Sequence, residues 1–286
     1  MKCPLIELND GFKIPQIGLG AYQLTDEIQC INSCLEAFKS GYRHIDTAHR
    51  YGNEKYVGEA VLKSGLKREE IYITSKVWPT EFGEGLTEKQ VEKMLRRINL
   101  EYIDLILLHW PFGDYIGAWK DLEKCVKKGY VKSIGLSNFE GKSLNDILDI
   151  CTIKPALNQL ECHPFRNRFD IKKILDEHNI KIECWYPIGH GDEGLINNSV
   201  IQSLAEKYKK TCVQIILRWH IQVGYIPIPK SSNPIHIKEN FNIFDFKLTD
   251  EEMNQINALP QKNIWVPKVG TIEAFSKAAM EFKFED

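Results

Sequence analysis

The chain has 286 residues, 43% of them hydrophobic and 27% charged, with Lys+Arg 37 against Asp+Glu 39 and a net charge of −2. That hydrophobic share excludes a disordered chain, and the near-neutral balance lacks the basic excess of a protein that grips nucleic acid by its phosphates. No apolar run approaches the roughly 18 residues of a membrane span, because Ile103–Leu108 is interrupted by Asp104 and ends at His109. The N-terminus reaches Glu7 and Asp10 before any run long enough for a signal peptide. These features predict a cytoplasmic protein with no nucleic-acid and no membrane partner. The cysteines, at 3, 30, 34, 125, 151, 162, 184 and 212, make no C-x-x-C pair and no zinc-type spacing. They read as small buried side chains in a reducing compartment.

In chain order the first signal is a hairpin: LIEL, the turn Asn9-Asp10-Gly11, then FKI. From there a short apolar run, a polar stop and an amphipathic helix recur. The runs are 17–20, 42–46, 71–76, 102–109, 133–138, 156–161, 182–187 and 225–230. Helices are expected at 25–40 with Gly41 as its stop, at 53–64, and at 87–98 opened by a Thr87/Gln90 capping box. Others are expected at 116–128, 141–150, 170–179, 199–208 running on through 213–223, 235–240 and, outside the repeat, 249–258.

Continuous apolar runs are what strands buried on both faces look like. Eight of them with intervening helices predict an α/β fold, a (β/α)8 TIM barrel with an N-terminal β-hairpin and a C-terminal tail over the active-site face, with residues 1–286 as one domain. A doubly wound sheet would place G-x-G-x-x-G after its first strand, but Gly18-Leu19-Gly20 has no third glycine.

In such a barrel the residues just past each strand line one shared site. Here they are Tyr22, Asp46, Tyr51, Lys76, His109, Ser137, Asn138, Gln159, Trp185 and Lys230. Each has a bland explanation by itself; an acid, a lysine, a tyrosine and a histidine at neighbouring strand ends do not. Lys76 beside Asp46 stays charged, and a phenol beside that ammonium is expected to become more acidic, which suits Tyr51 as a proton donor to a nascent alkoxide. His109 can orient the same oxygen. No H-x-H, HExxH or carboxylate cluster proposes a metal, so none is expected, and proton transfer without nucleophile or metal implies a redox cofactor.

The segment Gly41–Gly58 (GYRHIDTAHRYGNEKYVG) resembles the first signature of the aldo-keto reductases, and Leu107-Leu-His-Trp-Pro111, Ile134-Gly-Leu-Ser-Asn-Phe139 and Ile228-Pro-Lys-Ser-Ser232 resemble three more in the same order. The resemblance covers essentially the whole chain and is nearest to short-loop microbial members of the methylglyoxal and 2,5-diketo-gluconate reductase kind. It implies a barrel that binds NADPH, with NADH also possible, and reduces a small-molecule aldehyde or ketone. Carried over, the catalytic tetrad is Asp46, Tyr51, Lys76 and His109, with Tyr51 as the acid. Ser137, Asn138 and Gln159 would hold the nicotinamide carboxamide and Trp185 would stack on its ring. Lys230, Ser231, Ser232 and His236 fall in the region of the 2′-phosphate and pyrophosphate, and Glu239 and Asn240 at the adenine.

Two departures stand out. His236 occupies a position where the family often has arginine, and an imidazole cannot make the bidentate fork. The segment after Pro111 is only about five residues, FGDYI, where many members carry a long substrate loop. The pocket is expected to be open, walled by Tyr22, Trp78, Trp110 and Phe112, with Trp265 from the tail. His163 reads as a capping residue. The resemblance also implies a monomer, and it leaves a second class open, a nucleotide-sensing regulatory subunit with slow turnover.

Overall fold

The computed structural model describes residues 3–284. A two-stranded antiparallel hairpin, β1 (Leu5–Glu7) with β2 (Lys13–Pro15), leads the chain, with Leu5 opposite Pro15 and Glu7 opposite Lys13. Its turn is closed by Asp10, whose carboxylate accepts from Phe12 N at 3.1 Å.

Eight parallel strands follow in the order of the chain: β3 (Leu19–Gly20), β4 (His44–Asp46), β5 (Tyr72–Val77), β6 (Ile103–Leu108), β7 (Val131–Ser137), β8 (Leu157–Glu161), β9 (Lys181–Trp185) and β10 (Ile226–Pro227). A helix follows each, so the expected (β/α)8 barrel is what forms. The sheet closes where β10 meets β3, through Gly18 N to Pro227 O and Gly20 N to Pro229 O, both 3.1 Å. Residues 227 and 229 are prolines with no N–H to return, so this seam carries hydrogen bonds in one direction only. The predicted strand 225–230 therefore shrinks to Ile226–Pro227. Gly20 is required at the seam: a Cβ there would lie 2.8 Å from the carbonyl oxygen of Ile228.

The first helix shows how the sequence sets its ends. Asp26 accepts from Gln29 N at 2.8 Å, Glu27–Ser40 is helical with Cys30, Cys34, Ala37 and Phe38 buried, and Gly41 ends it at φ 112. Two expectations fail, and one helix lies beyond them. The Thr87/Gln90 capping box is absent, because Thr87 Oγ1 donates to Glu81 O (2.9 Å) and Gln90 Nε2 lies 3.0 Å from His49 Nδ1. Both side chains serve neighbouring loops rather than their own helix. The run 199–223 is two helices, Ser199–Tyr208 and Cys212–Val223, because Lys209 turns left-handed and Thr211 with Gln214 makes a fresh capping box. A tail helix, Ile272–Glu281, was not foreseen.

Two apolar layers result. A large one lies between the sheet and the surrounding helices. A small one fills the lower barrel with Tyr72, Leu105, Leu107, Leu157 and Ile226, and the hairpin plugs it from below with Leu8 and Ile14. Among the described residues no helix is long and apolar enough to cross a membrane, and all eight cysteines are free thiols.

Candidate active site

Strand alternation aims every second residue of β4, β5, β8 and β9 into the barrel. Above the apolar floor those positions are His44 and Asp46, Thr74 and Lys76, Gln159 and Glu161, and Glu183. Lys76 is fully buried and Asp46 is 2% exposed. The Lys76 ammonium donates to Asp46 Oδ1 at 2.6 Å, to Oδ2 at 2.7 Å and to Thr47 O at 2.9 Å, and reaches Tyr51 Oη at 3.5 Å. Tyr51 sits on a single 3-10 turn, His49–Tyr51. Buried Asn53 steadies that turn: its Nδ2 donates to Ala21 O and Leu24 O, and its Oδ1 accepts from Thr47 at 2.6 Å. Glu54, next in the motif, is also buried and accepts from Ser75 and Arg97. So Asn53 and Glu54 of the signature act as scaffold for the phenol.

His109 follows β6, with its ring edge-on to Tyr51 (5.8 Å between centroids) and to Trp78 (5.1 Å). Its Nδ1 is buried without a hydrogen-bond partner. Burial, then the charges of Lys76 and Arg50, hold the imidazole well below its usual pKa, so it is neutral. Burial lifts the Asp46 carboxyl above its ordinary value, while Lys76 and Gln159 pull it back. Tyr51 corrects the sequence reading. Its phenol is less acidic than usual, pushed well up by burial and then by Asp46. The ammonium meant to acidify it spends its short contacts on Asp46 and Thr47.

The structure brings the predicted carboxamide group together. Asn138, left-handed at φ 65, accepts from Trp185 Nε1 at 2.9 Å and donates to His109 O and Ser137 Oγ, both 3.1 Å. Gln159 Nε2 donates to Asp46 Oδ2 at 2.8 Å and to Glu183 Oε2 at 2.5 Å. Farther out, Lys230, Ser232 and His236 are exposed, Ser231 and Glu239 half-buried and Asn240 buried. They lie on the seam loop and on the helix Pro234–Phe241, which Asn233 caps by accepting from Ile235 N at 2.9 Å.

Of the predicted walls, Tyr22 leans on Tyr51 (5.1 Å) and is 44% exposed. Trp110 stacks between Phe112 (5.8 Å) and Trp265 (5.3 Å), and with Asn138 and Trp185 they line a cleft of about 390 Å³. Trp78 is nearly buried and donates Nε1 to Ala279 O of the tail helix at 3.0 Å. Sequence reasoning missed what holds that tail. Glu161 accepts from the backbone N–H of Trp265 (2.8 Å) and Ile264 (3.3 Å), and also bonds Arg166 and His163. Its place at a strand end was the available signal. Arg50 covers Phe282 at 3.8 Å. His163 is a buried structural histidine, with Nε2 3.1 Å from Glu161 Oε1 and Nδ1 without a partner.

Glu183 and His44 were missed as well, hidden in runs read only as strands. Burial drives Glu183 up to about 8 and His44 down to about 3. Outside the mouth, the fold gathers Cys162, Cys184 and His220 within 4.8 Å, a grouping the linear spacing conceals. Both ring nitrogens of His220 already face carbonyl oxygens, Ile216 at 2.9 Å and Cys162 at 3.1 Å, which leaves none for a metal.

The arrangement is a buried ammonium–carboxylate pair touching a phenol, with a neutral imidazole opposite, at the mouth of a parallel barrel. A family model described as "Aldo/keto reductase family" matches residues 16–261. The chain belongs to the aldo/keto reductase family. It is 42% identical over 256 residues to a 9,11-endoperoxide prostaglandin H2 reductase of Trypanosoma cruzi, covering 89% of this chain and 90% of that one. It is 41% identical over 255 residues to a glyoxal reductase of Bacillus subtilis, covering 89% and 92%. Among solved structures, an aldo-keto reductase of Bombyx mori in complex with NADP superposes with a TM-score of 0.88 at 30% identity, covering 93% of this chain and 96% of that one.

Proposed function

We propose that this protein is an NADPH-dependent oxidoreductase that reduces small aldehydes and ketones to alcohols, with Tyr51 as proton donor. The observation that carries the reading is the Tyr51 phenol 3.5 Å from the buried Lys76–Asp46 pair, with the neutral imidazole of His109 edge-on to its ring. A bound reduced nicotinamide supplies the hydride to the carbonyl carbon. His109, neutral, offers a ring N–H to hold the carbonyl oxygen by a hydrogen bond. Tyr51 Oη gives its proton to that oxygen as the new C–H bond forms, and Lys76 steadies the phenolate left behind. A phenol that resists ionisation at rest keeps its proton until a carbonyl arrives.

The residues fit the cofactor. Gln159 offers an open Oε1, Ser137 and Asn138 stand beside it, and the Trp185 ring flanks the cleft. Lys230, Ser231, Ser232 and His236 lie on the segment suited to the 2′-phosphate and pyrophosphate, with Glu239 and Asn240 for the adenine. An imidazole at 236 contacts a phosphate through a single N–H, so NADPH is preferred over NADH by less than an arginine would give. Only Phe112–Asp114 separate Pro111 from the helix Tyr115–Lys127, which leaves the cleft open on that side. With Tyr22, Trp78, Trp110 and Phe112 around a polar centre, this favours short carbonyls and dicarbonyls, in keeping with the name of the Bacillus subtilis relative.

The test is loss of reduced-cofactor absorbance with glyoxal, methylglyoxal and simple aldehydes. Tyr51→Phe keeps the ring and removes the proton, so kcat should fall by about 10²-fold or more with the NADPH Kd nearly unchanged. Wild-type turnover in that variant overturns the reading.

A further inference from the structure

We propose that Glu183 is a positioning residue that locks the Gln159 amide in the rotation presenting its carbonyl oxygen to the nicotinamide carboxamide. The inference rests on the reading above that Gln159 meets that carboxamide.

The argument is a count of donors. A glutamine side chain has two N–H donors and one carbonyl oxygen. Gln159 commits one N–H to Asp46 Oδ2 at 2.8 Å and the other to Glu183 Oε2 at 2.5 Å. Nothing is left to donate upward, so Oε1 is the atom a ligand meets, and the ligand must bring an N–H. A carboxamide brings two. Turning the amide over would set Oε1 against the Asp46 carboxylate, acceptor against acceptor. Asp46 alone does not enforce the rotation, because a single partner lets the amide swing about that one bond. The second acceptor on β9 makes the orientation unique.

Glu183 has no other evident task. It is fully buried, and a buried carboxyl is expensive where an apolar side chain would fill the barrel. Its Oε1 lies 3.4 Å from His44 Nε2, which already has Thr74 Oγ1 at 2.9 Å. His44 is neutral and no counter-ion. The charged and titratable groups around it are Asp46 and His44 from β4, Tyr72 and Lys76 from β5, Cys184 beside it on β9 and Tyr51 above. Asp46 has claimed Lys76, so Glu183 is not the anion of an ion pair. The hydrogen bond to Gln159 is its one short contact.

The experiment compares NADPH with its 3-acetylpyridine analogue, in which a methyl replaces the carboxamide NH2. Kd is measured by fluorescence quenching on wild type, Glu183→Gln and Glu183→Leu. Wild type should bind NADPH on the order of tenfold more tightly than the analogue, the scale of one buried hydrogen bond. Glu183→Gln still offers a carbonyl oxygen to Gln159 and should keep most of that preference. Glu183→Leu frees one N–H of Gln159, lets the amide turn, and should bring the two Kd values together. A general loosening of the barrel would weaken both cofactors alike and leave their ratio unmoved. Glu183→Val carries the same expectation and serves if leucine does not fold. A preference that survives Glu183→Leu or Glu183→Val overturns the proposal alone. No preference in the wild type overturns the assignment of Gln159 and the proposal with it.

Discussion

The lower and upper halves of the barrel interior come from the same strands and obey opposite rules. On β5, Tyr72 and Lys76 point into the same barrel four residues apart; on β8, Leu157 lies below Gln159 and Glu161. The floor of Tyr72, Leu105, Leu157 and Ile226, plugged by Leu8 and Ile14, is apolar side chains in mutual contact. The mouth buries an ammonium, three carboxyls, an amide and two imidazoles. Burying the floor stabilises the fold by roughly 1.5–3 kcal/mol for each large side chain. Burying the mouth costs stability, and most of the polar groups there are tolerated because a neighbour answers them. One half holds the barrel together and the other uses that stability to keep reactive groups dry.

The largest effect should come from breaking an answered pair. Lys76→Met leaves the Asp46 carboxylate buried without its cation, and a loss of about 3–5 kcal/mol is expected in urea unfolding, with a collapse of turnover. Adding Asp46→Asn removes the orphaned charge and should restore part of the stability but none of the rate. Stability in Lys76→Met equal to wild type would show that the pair is not desolvated in solution.

The floor should behave the other way. Leu105→Ala opens a cavity far below the phenol and should cost about 2–5 kcal/mol of stability while kcat and KM for a small aldehyde stay at wild-type values. A comparable loss of kcat would mean that the two halves are mechanically coupled.

A smaller effect should separate them by pH. His44 is held at about 3 against an ordinary 6.5, so acidification through that window favours the unfolded chain, which takes up a proton the barrel refuses. Glu183 is raised from 4.5 to about 8, so its contribution is complete below about 4.5 and is lost as pH rises through 8. The two trends oppose one another between about pH 4.5 and 6.5, and from 6.5 to 8 only the Glu183 trend of the two remains. Glu183→Gln has no proton to lose, so its Tm relative to wild type should climb across that alkaline window. A pH-independent difference would show that Glu183 titrates as an ordinary carboxyl.

Much of the mouth was legible because it sits at strand ends, where residue type changes abruptly: Asp46, Lys76 and His109 each close an apolar run. Tyr51 lies in a loop and was reached through its motif and the chemistry beside it. Glu183 escaped because alternation inside a run of strand residues has no edge to mark it, and in Ile182-Glu-Cys-Trp185 the acid looks like a solvated interruption. The Thr87 cap failed for a related reason. A local rule lost to partners, Glu81 and His49, that are adjacent only after folding.

The sequence by itself determined the repeat of strand and helix, the parallel barrel that such a repeat must close, and the acid, lysine, phenol and imidazole gathered at one end of it. These follow from periodicity, chain connectivity and side-chain type, which are local properties. Only the tertiary structure decided how the groups share their hydrogen bonds: that Lys76 belongs to Asp46 before Tyr51, that the phenol is less acidic than its neighbours suggest, that Glu161 pins the tail, and that Gln159 is held between two carboxyls. Distances of a few tenths of an ångström and the depth of burial set those outcomes, and both depend on how the whole barrel packs.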